Sequence, residues 1–303
     1  MSEAGWQELR LQTREESVAA LEDWLFSAGA VAVTLEDAAD QPLLEPGPGE
    51  TPLWDDITLV ALFPEAQPLA SVLEAIPDNL LATPERAVTA VADRDWERAW
   101  MDDFHPLKMG ERLWVCPSWA APPEPDAVNL ILDPGLAFGS GTHPTTAMCL
   151  RALDGSVSPG MTVVDYGCGS GILAIAALKL GAAYALGVDN DPQAITASED
   201  NARRNDTGTG AFEVVMPDAA SIDAWTARAD IVVANILANP LIELAPQILA
   251  LLKPGGLILL AGLLSEQAEA VTAAYADQLS LAALDQQQEW VLLGGISPGP
   301  AAP

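Results

Sequence analysis

The most constraining segment of the sequence is residues 162–177, where a short apolar stretch leads into a glycine-rich turn and then into a helical pattern. The first residues have the length and character of a buried strand, and the turn contains Gly167, Gly169 and Gly171. Glycine allows backbone conformations that other residues avoid, and it allows a ligand to approach the chain closely. Since α/β folds bind ligands at the carboxyl ends of their parallel strands, this segment predicts a ligand site at a sheet edge.

Beyond residue 162, short apolar strands alternate with helices, which is typical of a parallel sheet covered on both faces. The predicted strands are Thr162–Asp165, Ala185–Val188, Phe212–Val215, Asp230–Ala234 and Leu257–Ala261, with a late edge strand at Trp290–Gly294. Upstream, the apolar pattern predicts the order β-α-β-β-α-β, which is the ferredoxin-like arrangement. The expected fold class is therefore α/β, a mostly parallel doubly wound sheet of Rossmann-like type, with an N-terminal ferredoxin-like α+β domain.

These patterns divide the chain of 303 residues into four parts. Residues 1–92 are expected to form the ferredoxin-like domain, residues 93–110 a connector helix, and residues 111–296 the larger α/β domain. The tail, residues 297–303, has little to bury and is expected to be disordered. A chain of this length normally holds two packed cores.

The charge balance of the chain is strongly acidic, with 43 acidic and 13 basic residues and a formal net charge of −30. Because lysine and arginine supply most of the affinity for phosphate backbones, this surface predicts no direct binding of nucleic acid. It favours a basic protein partner instead. Adaptation to a salty cytoplasm is the alternative explanation of the same composition.

Metal binding and membrane insertion are both disfavoured. Three widely spaced cysteines and two isolated histidines form neither a disulfide framework nor a typical metal site. No apolar run approaches the roughly 20 residues that cross a bilayer, and the first residues lack the pattern of a secretory signal. We therefore expect a soluble cytoplasmic protein that binds no metal and no membrane.

The acidic residues around the glycine turn indicate which ligand it binds. A dinucleotide loop follows Gly-x-Gly-x-x-Gly, but Ile172 follows Gly171 here, and Asp165 places a carboxylate where a pyrophosphate would approach. S-adenosylmethionine has no phosphate and carries two cationic groups, so it is the better candidate. Asp189, at the end of the next strand, is placed to accept hydrogen bonds from both ribose hydroxyls.

Two further segments carry candidate residues. Asn235 ends the fourth strand, where its amide oxygen could accept a hydrogen bond from an incoming amine; a helix cap is the alternative. The segment 132–146 combines several glycines with two prolines, which is typical of a defined functional loop. We expect Thr145 and Thr146 to open a helix, with one of them capping it and the other reaching the cofactor. His143 is interpreted as a cap or turn residue in preference to a general base.

Four segments together resemble the bacterial methyltransferases of large-subunit ribosomal protein eleven. They are residues 132–139, 141–146, 165–173 and 234–237, and the similarity extends over nearly the whole chain. The resemblance implies a class I methyltransferase domain that uses S-adenosylmethionine. It further implies trimethylation of lysine ε-amines and of the N-terminal α-amine of that ribosomal protein, before its assembly into the ribosome, with the ferredoxin-like domain recognising the substrate.

Carried over position by position, the resemblance implies a set of cofactor-binding residues and one catalytic residue. The cofactor-binding positions are Thr146, Gly167, Asp189 and Asn235, joined by Phe138, Gly139, Thr145 and Gly169 in the same pocket. Asn235 is also the predicted catalytic residue, since it would orient the substrate amine. Two alternatives stay open: a methyltransferase of another protein or of a small amine, and a non-catalytic nucleotide-binding module in ribosome assembly.

Overall fold

The structure is a computed structural model that describes residues 5–39, 41, 52–91, 104–133, 143–208, 210–218 and 222–299. The chain divides into two compact units, Met1–Trp100 and Met101–Pro303. Most of the predicted connector helix lies outside the described residues, as does the end of the predicted tail.

The first unit is an antiparallel four-stranded sheet with two helices. Its elements are β1 (Trp6–Arg14), α1 (Val18–Ser27), β2 (Ala32–Asp37), β3 (Asp56–Pro64), α2 (Ala70–Ala75) and β4 (Arg86–Val91). The strand order is β2-β3-β1-β4. This order and the β-α-β-β-α-β sequence of elements confirm the predicted ferredoxin-like arrangement.

Alternating apolar residues form the core of the first unit. Leu9 and Leu11 are two positions apart on β1, so they point to the same face of the sheet. They join Leu21 and Leu25, one helical turn apart on α1, and Phe63 of β3 in one buried cluster. Burial of each such side chain stabilises the fold by about 1.5–3 kcal/mol.

The second unit begins with a small three-stranded sheet. Its strands are β5 (Leu107–Lys108), β6 (Leu113–Cys116) and β7 (Val128–Ile131). β5 lies within the region predicted as connector helix, but it pairs antiparallel with β6. Residues 107–108 are therefore extended, and that end of the helix prediction is wrong.

A seven-stranded sheet forms the body of the second unit. Its strands are β8 (Thr162–Tyr166), β9 (Tyr184–Val188), β10 (Phe212–Val215), β11 (Ala229–Asn235), β12 (Leu252–Leu264), β13 (Ala282–Gln287) and β14 (Trp290–Ile296). The helices are α3 (Pro144–Ser156), α4 (Ile172–Lys179), α5 (Pro192–Arg204), α6 (Ala238–Glu243), α7 (Ala245–Leu251) and α8 (Ala268–Tyr275). The order is β10-β9-β8-β11-β12-β14-β13, and only the pairs that involve β14 are antiparallel. The predicted mostly parallel Rossmann-like sheet is confirmed.

The edge of this sheet differs from the prediction. The sequence predicts Trp290–Gly294 as an edge strand, but β14 lies between β12 and β13, and β13 forms the edge. Four of the six residues of β13 are exposed, so the strand lacks the buried apolar run that marks the central strands of the sheet, such as β8 and β11. Its position comes from a tight turn that pairs Gln287 with Trp290.

Both faces of the large sheet are buried. Val163 and Val164 are adjacent on β8 and belong to two different core clusters, one on each face. The first cluster contains Met148 of α3 and Ile175 of α4, and the second contains Ile248 of α7. Because helices cover the two faces, the carboxyl edge of the parallel strands is the part of the sheet that a ligand can reach.

Candidate functional site

The glycine turn after β8 is a tight loop anchored to the neighbouring strand. The backbone N–H of Gly167 donates to the carbonyl of Val188 at 2.7 Å. Gly167 has a φ of 79°, and a Cβ there would lie 2.2 Å from the Cγ2 atom of Ile236. Gly171, with a φ of 77°, begins α4 in the left-handed conformation. The chain therefore requires glycine at both ends of this turn.

Asp189 connects the turn to the end of β9. One carboxylate oxygen accepts a hydrogen bond from the N–H of Gly169 at 2.8 Å, and the other accepts from the N–H of Asp191 at 3.0 Å. A carboxylate has about four acceptor positions, so two remain for a ligand. Asp191 caps α5 by accepting from the N–H of Gln193, a role typical of an aspartate that precedes a proline at the first helical position.

The start of α3 presents its polar side chains to the same region. His143 is the N-cap residue, and its Nδ1 atom accepts from the N–H of Thr145 and lies 2.7 Å from the Oγ1 atom of Thr145. The cap role of His143 is thereby confirmed. The expectation that one threonine caps the helix is wrong, because Thr145 and Thr146 follow Pro144 and are both buried.

Asn235 faces α3 from the end of β11. Its Nδ2 group donates to the Oγ1 atom of Thr146 at 3.2 Å. In this orientation the hydroxyl of Thr146 serves as the acceptor and engages the amino end of the amide. The amide oxygen of Asn235 is then left to accept a hydrogen bond from a ligand.

Two adjoining cavities lie along this carboxyl edge, with volumes of about 580 and 220 Å³. The walls of both include Gly167, Asp189 and Asn235. Thr145 lines the larger cavity, and Thr146 and Gly169 line the smaller one. The structure thus brings together every predicted site residue that it describes; Phe138 and Gly139 lie outside the described residues.

Asp165 is the most unusual ionisable group of the site. The residue is 1% exposed, and Oδ2 accepts from the N–H of Ala174 at 3.1 Å, while Oδ1 has no hydrogen-bond partner among the residues that the structure describes. Burial raises the pKa of this carboxyl to about 7, and the nearby Asp189 adds to the increase. The side chain lines the smaller cavity.

The larger cavity also contains residues that the sequence reasoning missed. Trp290 packs edge-on against His143, with ring centroids 4.9 Å apart. Tyr166 donates to the Oε1 atom of Gln247 at 3.0 Å, and both line the cavity. Trp290 could have been identified from one consideration: β14 is antiparallel to β12, so the start of β14 lies at the carboxyl edge of the parallel strands.

The residues present fit S-adenosylmethionine. Glycines form a surface without side chains at the turn, Asp189 retains free acceptor positions, and Asp165 places a buried carboxyl group in the wall of the smaller cavity, where it could meet a cationic group of the ligand. In the described part of the chain, no three His, Cys, Asp or Glu side chains are grouped so that they could hold a metal ion. Nor does any described helix have the length and apolar character needed to cross a membrane.

Comparison with known proteins gives a consistent result. Residues 5–296 match the protein family described as ribosomal protein L11 methyltransferase (PrmA). The chain is 52% identical to the ribosomal protein L11 methyltransferase of Pseudomonas aeruginosa (strain LESB58) over 292 residues, which is 96% of this chain and 98% of that protein. It is 50% identical to the protein of the same name from Marinobacter nauticus over 295 residues, with 96% and 98% covered.

A solved structure is also similar. The crystal structure of ribosomal protein L11 methylase from Lactobacillus delbrueckii subsp. bulgaricus superposes with a TM-score of 0.56 and 32% sequence identity. The match covers 65% of this chain and 100% of that one.

Proposed function

The chain belongs to the ribosomal protein L11 methyltransferase family, and we propose that it transfers methyl groups from S-adenosylmethionine to amines of ribosomal protein L11 in the bacterial cytoplasm. The acceptors are lysine ε-amines and the N-terminal α-amine. The observation that carries this proposal is the continuous site at the carboxyl edge, in which Asp189, the glycine turn and Asn235 line the same two cavities.

Each part of the site has a distinct role in this proposal. Asp189 accepts hydrogen bonds from the hydroxyls of the ribose, and the turn from Gly167 to Gly169 supports the amino-acid chain of the cofactor. Thr145 and Thr146 line the same walls from α3, and the resemblance assigns Phe138 and Gly139, which lie outside the described residues, to cofactor binding. When bound, S-adenosylmethionine supplies an electrophilic methyl group on a sulfonium ion.

Asn235 orients the acceptor amine. Its Nδ2 group is held by Thr146, so its oxygen accepts one N–H of the amine and directs the lone pair. Correct alignment of two reacting groups accounts for a large part of the rate enhancement in transfers of this kind. Catalysis here therefore depends on position more than on acid or base chemistry.

The acceptor amine must lose a proton before it reacts, since the reference pKa of lysine is about 10.4. Burial of the amine against apolar residues lowers that pKa, and Leu237 and Trp290 provide such surface in the larger cavity. His143 is not placed to take the proton, because its Nδ1 atom already accepts from Thr145. We propose that the proton is lost to water before the amine is enclosed.

We assign substrate recognition to the ferredoxin-like domain, residues 1–92. Its described residues contain no lysine, and two of its arginines, Arg10 and Arg86, already contact carboxylates. Most of the remaining acidic groups are therefore available to a basic protein surface.

Mass spectrometry of purified ribosomal protein L11, after incubation with the enzyme and isotopically labelled cofactor, tests the proposal. We expect mass increases in multiples of one methyl group on lysine or on the N-terminus. Methylation of a small amine with the ribosomal protein unchanged would favour the alternative enzyme. Absence of binding of both S-adenosylmethionine and S-adenosylhomocysteine in calorimetry would leave only the non-catalytic assembly module.

A further inference from the structure

Asp165 is a buried carboxyl group that the proposed mechanism leaves without a task. It is the penultimate residue of β8, separated from the glycine turn by Tyr166, and is almost completely enclosed. The N–H of Ala174 at the start of α4 satisfies Oδ2, whereas Oδ1 has no hydrogen-bond partner within the described part of the chain. An unpaired oxygen of this kind is costly if it is ionised and is tolerated more easily in a neutral carboxyl group.

The charges around Asp165 do not compensate an ionised carboxylate. The titratable groups that act on it are Asp189 from β9, the thiol of Cys149 on α3 and the thiol of Cys168 in the turn. Burial raises the pKa of both thiols, so they are neutral. None of the ion pairs among the described residues involves Asp165. Among the described residues, the charged group that acts on Asp165 is thus another acid, Asp189.

The unpaired oxygen belongs to a side chain that lines the smaller cavity. The two cavities share Gly167, Asp189 and Asn235 in their walls, so a molecule held by Asp189 lies beside both of them. The amino-acid end of S-adenosylmethionine carries an α-ammonium group, which would supply the missing positive charge.

We propose that Asp165 holds a proton in the cofactor-free protein at mildly acidic pH and releases this proton to solvent when S-adenosylmethionine binds. The O–H bond of the carboxyl breaks, the electron pair stays on oxygen, and the ammonium of the cofactor then faces a carboxylate. No covalent bond forms with the cofactor. This inference rests on the proposed function, because it requires that the site binds this cofactor.

Proton coupling makes cofactor affinity depend on pH in a defined direction. The pKa of Asp165 is raised to about 7, so cofactor binding below that pH requires the carboxyl to lose its proton. The free energy needed for this deprotonation grows as the pH falls. The Kd should therefore rise about tenfold for each pH unit below about 7 and become flat above it.

Titration calorimetry at about pH 6 in two buffers of different ionisation enthalpy, MES and imidazole, measures the released proton directly. Wild-type protein should release close to one proton for each S-adenosylmethionine bound. 5′-Methylthioadenosine keeps the adenosine but lacks the ammonium, and it should bind without proton release. The Asp165→Asn variant should bind S-adenosylmethionine with no release and with a Kd that does not follow pH.

The possible results separate this inference from the proposed function. Tight binding without proton release, equal release with both ligands, or release that persists in Asp165→Asn would overturn the proton coupling. If the variant does not fold, the difference in proton release between the two ligands on the wild-type protein still tests the proton coupling. Absence of S-adenosylmethionine binding at every pH would overturn the proposed function itself.

Discussion

At the residue scale, the polar side chains of the site each combine a structural contact with an unused hydrogen-bonding position. Asp189 accepts two backbone N–H groups, and Asn235 donates to Thr146. These contacts orient the remaining lone pairs toward the cavities. Preorganisation of this kind lowers the cost of aligning a ligand, because the side chains lose little freedom on binding.

Replacement of Asn235 by Ala should therefore affect turnover more than cofactor affinity. We expect kcat to fall about 100-fold, comparable to the loss of one preorganised hydrogen bond in other active sites, with a much smaller change in the calorimetric Kd for S-adenosylmethionine. Thr146→Val removes only the partner of the amide and should cost about tenfold in kcat. Equal losses of turnover and cofactor affinity in Asn235→Ala would contradict the orienting role.

Asp165 should give the protein a pH-dependent stability of a particular sign. Its pKa is near 4 in the unfolded chain and about 7 in the folded protein, so the folded state holds one more proton between these values. The contribution of Asp165 to the stability of the folded state is fully present below about pH 4 and is lost as the pH rises to about 7. Above that pH the contribution no longer changes.

The Asp165→Asn variant isolates this contribution from the general effect of the acidic surface. Urea unfolding measures the free energy of unfolding of both proteins at pH 5 and pH 8. The value of the variant minus that of the wild type should be larger at pH 8 than at pH 5, by on the order of a few kcal/mol. A stability difference that is the same at both pH values would refute the raised pKa.

At the element scale, the segment from β8 through the turn to α4 could be predicted because its information is local. The apolar strand, the glycines and the helical pattern follow one another in the sequence, and the structure places them as expected. The edge strand β13 could not be predicted, because its polar sequence has no buried face and its place depends on pairing with β14.

The contacts of the candidate site likewise divide into those that the sequence predicts and those that it does not. The hydrogen bond between Gly169 and Asp189 follows from two adjacent strands of a predicted sheet. The contact of His143 with Trp290 joins residues that are far apart in the sequence and depends on the reversed direction of β14. Neither spacing nor composition indicates such a contact.

Gly171 offers a test of the turn as an element. A side chain there is strained by the left-handed backbone, and its Cβ would lie 2.9 Å from the Cβ atom of Ser198. Gly171→Ala should lower the free energy of unfolding by at least about 1–2 kcal/mol and weaken cofactor binding.

Gly155, which lies in α3, is the matched control for Gly171. It is exposed, and a Cβ there would have no atom within 4 Å. Gly155→Ala should raise stability by about 0.5–1 kcal/mol in the same urea titration. If both variants have the same stability as the wild type, the turn does not require glycine at position 171.

At the scale of the whole molecule, the net charge of −30 should act on the encounter with a basic substrate. Attraction between exposed charges is screened as the Debye length falls from about 10 Å at 0.1 M salt to about 3 Å at 1 M. We expect kcat/KM for ribosomal protein L11 to decrease steeply with added salt while kcat changes little. Activity that is constant or increases with salt would instead favour adaptation to a saline cytoplasm.

The central claim concerns where the adenosyl group binds, and a crystal structure of the protein with S-adenosylhomocysteine tests it most directly. The account predicts the ribose hydroxyls on the carboxylate of Asp189, the chain of the ligand along the turn that begins at Gly167, and the sulfur directed toward Asn235. An adenosyl group bound elsewhere, or a sulfur turned away from Asn235, would contradict it.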